Sequence, residues 1–224
     1  MWFRRVNVMS LNEILVKIQE ELKKREEIRV EVQDIARKTI RLSKQAILFL
    51  HQQRFGDAEK ALKDADENFS KLQTLAKDHP DVFYTGLVEA AFEEYSEARV
   101  LLSLVRENRF VSPEEIRVPH IHYVLALGDV IGELRRRTLD NIRRGDIKTA
   151  DESLRKMEKI YLELTAMDDA YMLVPGLRRK CDVARHIIET TRGDVTIEAR
   201  RSSLENSIRK LESTLKGKKK TKAK

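Results

Sequence analysis

The 224-residue chain is 41% apolar and 36% charged, with only 8 glycines, 4 prolines and one cysteine. Such a chain can bury a real core, and its scarcity of turn formers points to long helices rather than sandwiches or barrels. Cys181 alone excludes an internal disulfide framework and a cysteine zinc cluster, and no run approaches the ~18 unbroken apolar residues of a membrane span. The opening "MWFRRVNVMS" lacks the apolar core of a signal peptide, so a cytoplasmic protein is expected.

In chain order, Ser10 can cap a helix that has Glu13 three residues on, a capping-box spacing, and this helical pattern, in one piece or two, runs to about Arg54. Gly56 breaks it within "RFGDAEKAL", Asp57 restarts it, and Pro80 in "AKDHPD" ends the second helix. A third long segment covers about Val82 to Glu107. "FVSPEEIRVP" is a linker with a cap at Ser112 and proline at the first helical position, and Pro119 opens another long helix that ends at Gly145. "DIKTADESLRKMEKIYLELTAM" is the next helix and "YMLVPG" a turn; the remainder to Leu215 reads as one or two helices interrupted around Gly193. The expected fold is all-α, about seven antiparallel helices with short connections forming one bundle domain over residues 1–215. "KGKKKTKAK", residues 216–224, holds six lysines and no acid, and is expected to be a disordered tail with non-specific attraction to phosphate. Those lysines supply most of the net charge of +7, so an acidic partner has to be argued from patterning within the body.

"EEYSEA", residues 93–98, supplies the first anomaly. On a helical wheel of about 100° per residue, Tyr84, Leu87, Val88, Ala91, Tyr95, Ala98, Leu102 and Val105 form one apolar stripe. Glu89 and Glu93 fall opposite it and read as solvated, whereas Glu94 lies inside its arc and Glu97 at its rim. A buried carboxylate is costly without a cation or donors. Glu94 therefore needs a partner, either an arginine across a helix interface or a metal ion.

"LGDVIGELRRR" supplies the second. Asp129 and Glu133 are four apart and share a helix face, roughly opposite the core stripe of Tyr123, Leu127, Val130, Ile131, Leu134 and Thr138. Pattern alone would leave them solvated. Gly128 and Gly132, however, flank them in a helix where each glycine costs about 1 kcal/mol relative to alanine, which suggests a close-approaching backbone that would draw the acids into an interface. Four carboxylates from two helices could then converge. Such a set without cysteines selects Mg²⁺ or Mn²⁺, ions suited to phosphoryl transfer.

Basic residues that would hold a phosphate backbone are also present. "DIARKTIRLSKQAILFLH" places Arg37, Arg41 and Lys44 on one helical face, with no acid from Ala36 through His51. Arg137 and Arg144 share a side of the helix that carries the acidic pair. Each group has a plainer reading as a solvated face. His122 falls on the Asp129 face, where it could approach a substrate or be an ordinary surface histidine.

At these same stretches, in this order, the chain resembles the translin family, and its translin-associated factor X (TRAX) branch more than translin itself. The resemblance covers about residues 28–215 and is most specific in "YVLALGDVIGELRRRTLDNIRRGDI". It implies a seven-helix bundle assembling into a hollow homo-octamer that encloses single-stranded RNA. The TRAX branch is a metal-dependent endoribonuclease, whereas translin is a non-catalytic binder of single-stranded RNA or DNA. By motif, the branch's catalytic, metal-holding acids correspond to Glu94, Glu97, Asp129 and Glu133, and its RNA-contacting surface to Arg37, Arg41 and Lys44. The chain departs from the branch in lacking a long N-terminal extension, which leaves nuclear targeting unsupported, and in having "GELRRR" where a more apolar continuation is usual. The expected function is Mg²⁺-dependent cleavage of single-stranded RNA. Its rivals are a translin-type binder without catalysis and a helical adaptor whose acids and bases only pair with one another.

Overall fold

The computed structural model describes residues 9–79, 86–167, 169 and 171–221, which contain seven helices and no strand. Helix α1 (Leu11–His51) begins at the expected capping box: the Ser10 hydroxyl accepts from the Glu13 N–H, and the Glu13 carboxylate accepts from the Ser10 N–H at 2.7 Å. It is followed by α2 (Phe55–Asp78), α3 (Gly86–Arg106), a single turn α4 (Pro113–Ile116), α5 (His120–Arg143), α6 (Ile147–Thr165) and α7 (Leu177–Thr221). Ser112 and Glu115 form a second capping box at α4, Pro119 stands at the head of α5, and the Asp146 carboxylate caps α6 by accepting from the Thr149 N–H at 3.0 Å. Gly145 after α5 and Gly176 before α7 adopt φ of +79° and +90°, the left-handed region that glycine enters without steric cost.

Two boundaries differ from expectation. The break after α1 lies at Gln52–Arg54, where Gln53 takes φ +60°, and Gly56 is already inside α2. Helix α7 runs through Gly193 without interruption and on to Thr221, into the lysine-rich stretch expected to be disordered. One glycine costs only about 1 kcal/mol in a helix interior, too little to stop a 45-residue helix whose first half packs on neighbours. The expected helix start near Val82, Tyr84 of the apolar stripe, and residues 222–224 lie outside the described residues.

Helix α1 packs on α2 and α3, α3 on α5, and α5 on α6 and α7, which also touch each other. The core between them is built on Leu50, Leu62, Phe69, Leu101, Leu104, Ile131, Leu134, Met157 and Leu177. Its placement makes α3 a central helix: Val88, Ala91, Phe92, Tyr95, Ser96, Ala98, Val100, Leu101, Ser103 and Leu104 are all buried, which leaves no broad wet side. The two longest helices outrun this core. Every side chain from Leu11 to Glu27 of α1 is exposed, and Ile197, Leu204, Ile208, Leu211 and Leu215 stand in water on α7. Among the described residues no helix is long and apolar enough to cross a membrane.

Candidate functional site

Where α3 lies against α5, the four acids singled out in the sequence act on one another. Glu97 is the most perturbed: burial first, then the charges of Asp129, Glu133 and Glu94, push its carboxyl up to about 8, against a small opposing pull from Lys180. Among the described residues it makes no hydrogen bond or ion pair of its own. The three acids around it are each held by a base. Lys44 on α1 reaches Glu94 Oε1 at 2.9 Å, His51 Nε2 at the end of α1 meets Glu133 Oε2 at 2.5 Å, and Lys180 Nζ on α7 meets Asp129 Oδ2 at 2.5 Å. Helices α1 and α7 thus close the α3–α5 seam from its two flanks. The Lys44 ammonium is raised above its ordinary range by its bond to Glu94 and that carboxylate's charge, with Glu97 adding to it.

The acids are all oxygen donors, and a half-buried, unpaired carboxylate crowded by three others fits the demand of a hard divalent ion. As the side chains stand, no three His, Cys, Asp or Glu groups among the described residues are drawn together into a ligand set. Lys44 and Lys180 supply the positive charge instead, so an ion would enter by exchange with these two flexible cations.

Glu93 overturns its sequence reading as a solvated residue. It is half-buried, with Oε1 3.5 Å from His122 Nδ1 and Oε2 3.5 Å from Lys180 Nζ. Burial pushes its carboxyl up, but the neighbouring His122 ring and Lys180 ammonium outweigh that and hold it below the ordinary carboxylate range. The reason is the position of α3: with α1 and α5 both packed on it, the side opposite its apolar stripe faces protein. His122 is likewise no ordinary surface histidine, since it stacks on Phe92 with ring centroids 5.3 Å apart. The glycines also resolve differently from expectation. A Cβ at Gly128 would lie 3.0 Å from Cβ and Cδ of Lys180, so a side-chain stem, not a backbone, approaches there. Gly132 has nothing within 4 Å of that position.

Of the expected RNA-binding residues, Lys44 stands in the site through Glu94. Arg37 and Arg41 continue its exposed face along α1, with Arg37 paired to Asp34 at 3.1 Å in the same helix. Arg137 and Arg144 come together at the far side of His51: burial, then the Arg144 charge, lowers the half-buried Arg137 guanidinium, and Arg144 donates to the His51 carbonyl at 3.5 Å. His51 therefore links the acids to this arginine pair. Arg135, the first of the "RRR" run, instead ties α5 to α7 by donating to Thr191 Oγ1 at 2.8 Å and to the Ile187 carbonyl at 3.2 Å.

His51 and Lys180 are the residues that sequence reasoning missed. Gly128 was the available signal for Lys180, because something had to fill the space it leaves open.

The model of the translin family matches residues 23–216. An uncharacterized protein of Methanocaldococcus jannaschii, MJ0175, is 28% identical over 193 residues, covering 85% of each chain. Among solved structures, AfC3PO is 30% identical with a TM-score of 0.77, covering 84% of this chain and 97% of its own. An AfC3PO complex with duplex RNA is similar at 29% identity and a TM-score of 0.76, with the same coverage, and apo-NeC3PO at 27% and 0.75, covering 86% of this chain and all of its own.

Proposed function

The chain belongs to the translin family, and on that footing we propose that it is a TRAX-like endoribonuclease acting on single-stranded RNA with a carboxylate-held Mg²⁺ or Mn²⁺. The observation that carries this reading is Glu97, pushed up to about 8 by burial and by three other acids converging on it. Lys44, His51 and Lys180 offset the other three acids and leave Glu97 without a partner, and perturbed acids of this kind gather at functional sites. An ion bound here would neutralise phosphate oxygens and lower the pKa of an attacking water. Glu94, Glu97, Asp129 and Glu133 would hold it, with His51 fixing the orientation of Glu133. Lys44 and Lys180, released from their carboxylates, would turn to the phosphate, and Arg37, Arg41, Arg137 and Arg144 would bind neighbouring phosphates. Water adds to phosphorus as a P–O bond breaks, leaving a phosphate on one fragment and a hydroxyl on the other. The solved complex of AfC3PO with duplex RNA supports an RNA ligand. The exposed apolar residues of α1 and α7 support self-association, and a hollow octamer is the assembly we propose.

The second reading, a translin-type binder of single-stranded RNA or DNA without catalysis, is favoured by the bases already paired to Glu94, Glu133 and Asp129. Incubation of the purified protein with labelled single-stranded RNA separates the two. Cleavage is expected with Mg²⁺ and none with a chelator, and Glu133→Ala should slow it at least about tenfold, the lower end for lost metal-site contacts. Cleavage by the variant at the wild-type rate would remove Glu133 from the site, and intact RNA under every condition would leave the binder.

A further inference from the structure

Next to the carboxylates, α3 and the first turns of α5 border a cleft of about 600 Å³. Pro119, Ile121, Pro175 and Phe92 give it apolar walls, and Glu93 and His122 are polar members of its lining. Phe92 covers one face of the His122 ring, their planes 19° from parallel. The His122 Nδ1 atom is buried and has no hydrogen-bond partner, its nearest carboxylate oxygen standing 3.5 Å off on Glu93. Glu93 in turn lies 3.5 Å from Lys180, whose ammonium holds Asp129. One residue therefore faces both the cleft and the cation that guards the acids.

The chemistry of this lining discriminates between ligands. A phosphate would meet Glu89 and Glu93, both carboxylates in the wall. A purely aliphatic group would lie against the Glu93 carboxylate without offering it a donor. A nucleobase answers both demands, with a flat face to lie against the His122 ring and the prolines and an edge of donors for Glu93.

We propose that the cleft receives one unpaired nucleobase of the RNA, flanking the phosphate held at the carboxylates, stacked against the His122–Phe92 pair with its polar edge toward Glu93. The inference rests on the RNA reading given above and deepens it. A base engaged in a duplex cannot swing into the cleft, so the cleft would make the neighbouring site select single strands.

The test uses the full-length protein, a chelator to prevent cleavage, and a short single-stranded RNA carrying one 2-aminopurine and a terminal fluorescein. Binding is read by fluorescein anisotropy and base stacking by quenching of 2-aminopurine. Wild type is expected to bind and quench. His122→Ala should weaken binding about tenfold, within the range for loss of one stacked base. Ile121→Trp, made at a position 44% exposed and so without cost to the core, should fill the cleft and abolish the quench. Binding without quench in wild type, or unchanged affinity and quench in both variants, would overturn the proposal. Quenching without cleavage in Mg²⁺ would leave the cleft standing and remove the nuclease, cleavage without quenching would do the reverse, and failure to bind RNA at all would remove both.

Discussion

Replacing Glu97 by glutamine is expected to abolish RNA cleavage while making the folded chain more stable at and above pH 8. The carboxyl titrates near 4.5 in an unfolded chain and is pushed up to about 8 here, by burial and by Asp129, Glu133 and Glu94. Between those two values the folded state keeps a proton that the unfolded state has released. Stability therefore falls as pH rises from about 4.5 to about 8, and the loss is complete above the folded value. Glutamine has no such proton and keeps a shape close to that of the neutral acid. Thermal melts of wild type and variant in chelating buffer from pH 5 to 9 should diverge steadily, with the variant higher at the alkaline end. Parallel profiles would mean that Glu97 is not crowded by the other acids. If Glu97 holds the ion as proposed, cleavage should fall at least about a hundredfold, since a lost metal contact would remove several kcal/mol of transition-state stabilisation. Gaining stability while losing activity is what separates a functional carboxylate from a structural ion pair, whose removal would lower both.

The second large effect is expected at Phe69. Its side chain is 1% exposed in α2, lies parallel to the Tyr95 ring with centroids 4.4 Å apart, and meets the edge of Phe92 at 5.2 Å. These two partners are the α3 residues between and beside the acids, and the Tyr95 hydroxyl is anchored back on α2 by donating to Asp66. Phe69→Ala should cost about 3–5 kcal/mol, the range for a buried phenylalanine whose cavity cannot collapse. Chemical denaturation reads this as a lower midpoint at unchanged slope. A loss under about 1 kcal/mol would show that α2 and α3 can repack across the gap. Because the ring supports α3 from behind the site, the same variant links core packing to the placement of Glu94 and Glu97.

Much of the fold was legible because its punctuation is chemical. Ser10 with Glu13, Ser112 with Pro113, Pro119 and Gly145 each perform at their positions the task their chemistry suits. Gly56 and Gly193 misled because glycine permits a break without requiring one, whereas the real break came at Gln53, a residue with no special preference for it. In the candidate site, a wheel singled out Glu94 and Glu97, whereas Asp129 and Glu133 rested on the flanking Gly128 and Gly132, because pattern alone left them solvated. Glu93 was misjudged because a wheel assigns every helix a wet side, and α3 lacks one. His51 and Lys180 come from helices at opposite ends of the chain, and no local pattern relates either to the acid it holds.

The unburied ends of α1 and α7 set a limit on what their helicity can mean in a lone chain. Backbone amides there are closed only by their own helical turns, with few side-chain contacts to keep them so. Their hydrogens should exchange with solvent through fraying, at rates unrelated to global unfolding, while those behind Leu101 and Ile131 exchange only when the core opens. Any slowing of exchange at Leu11–Glu27 or at Leu204–Leu215 as protein concentration rises would then report contact between copies. The same two segments would serve as the molecule's own gauge of assembly, readable without a label and without knowing the assembly's size.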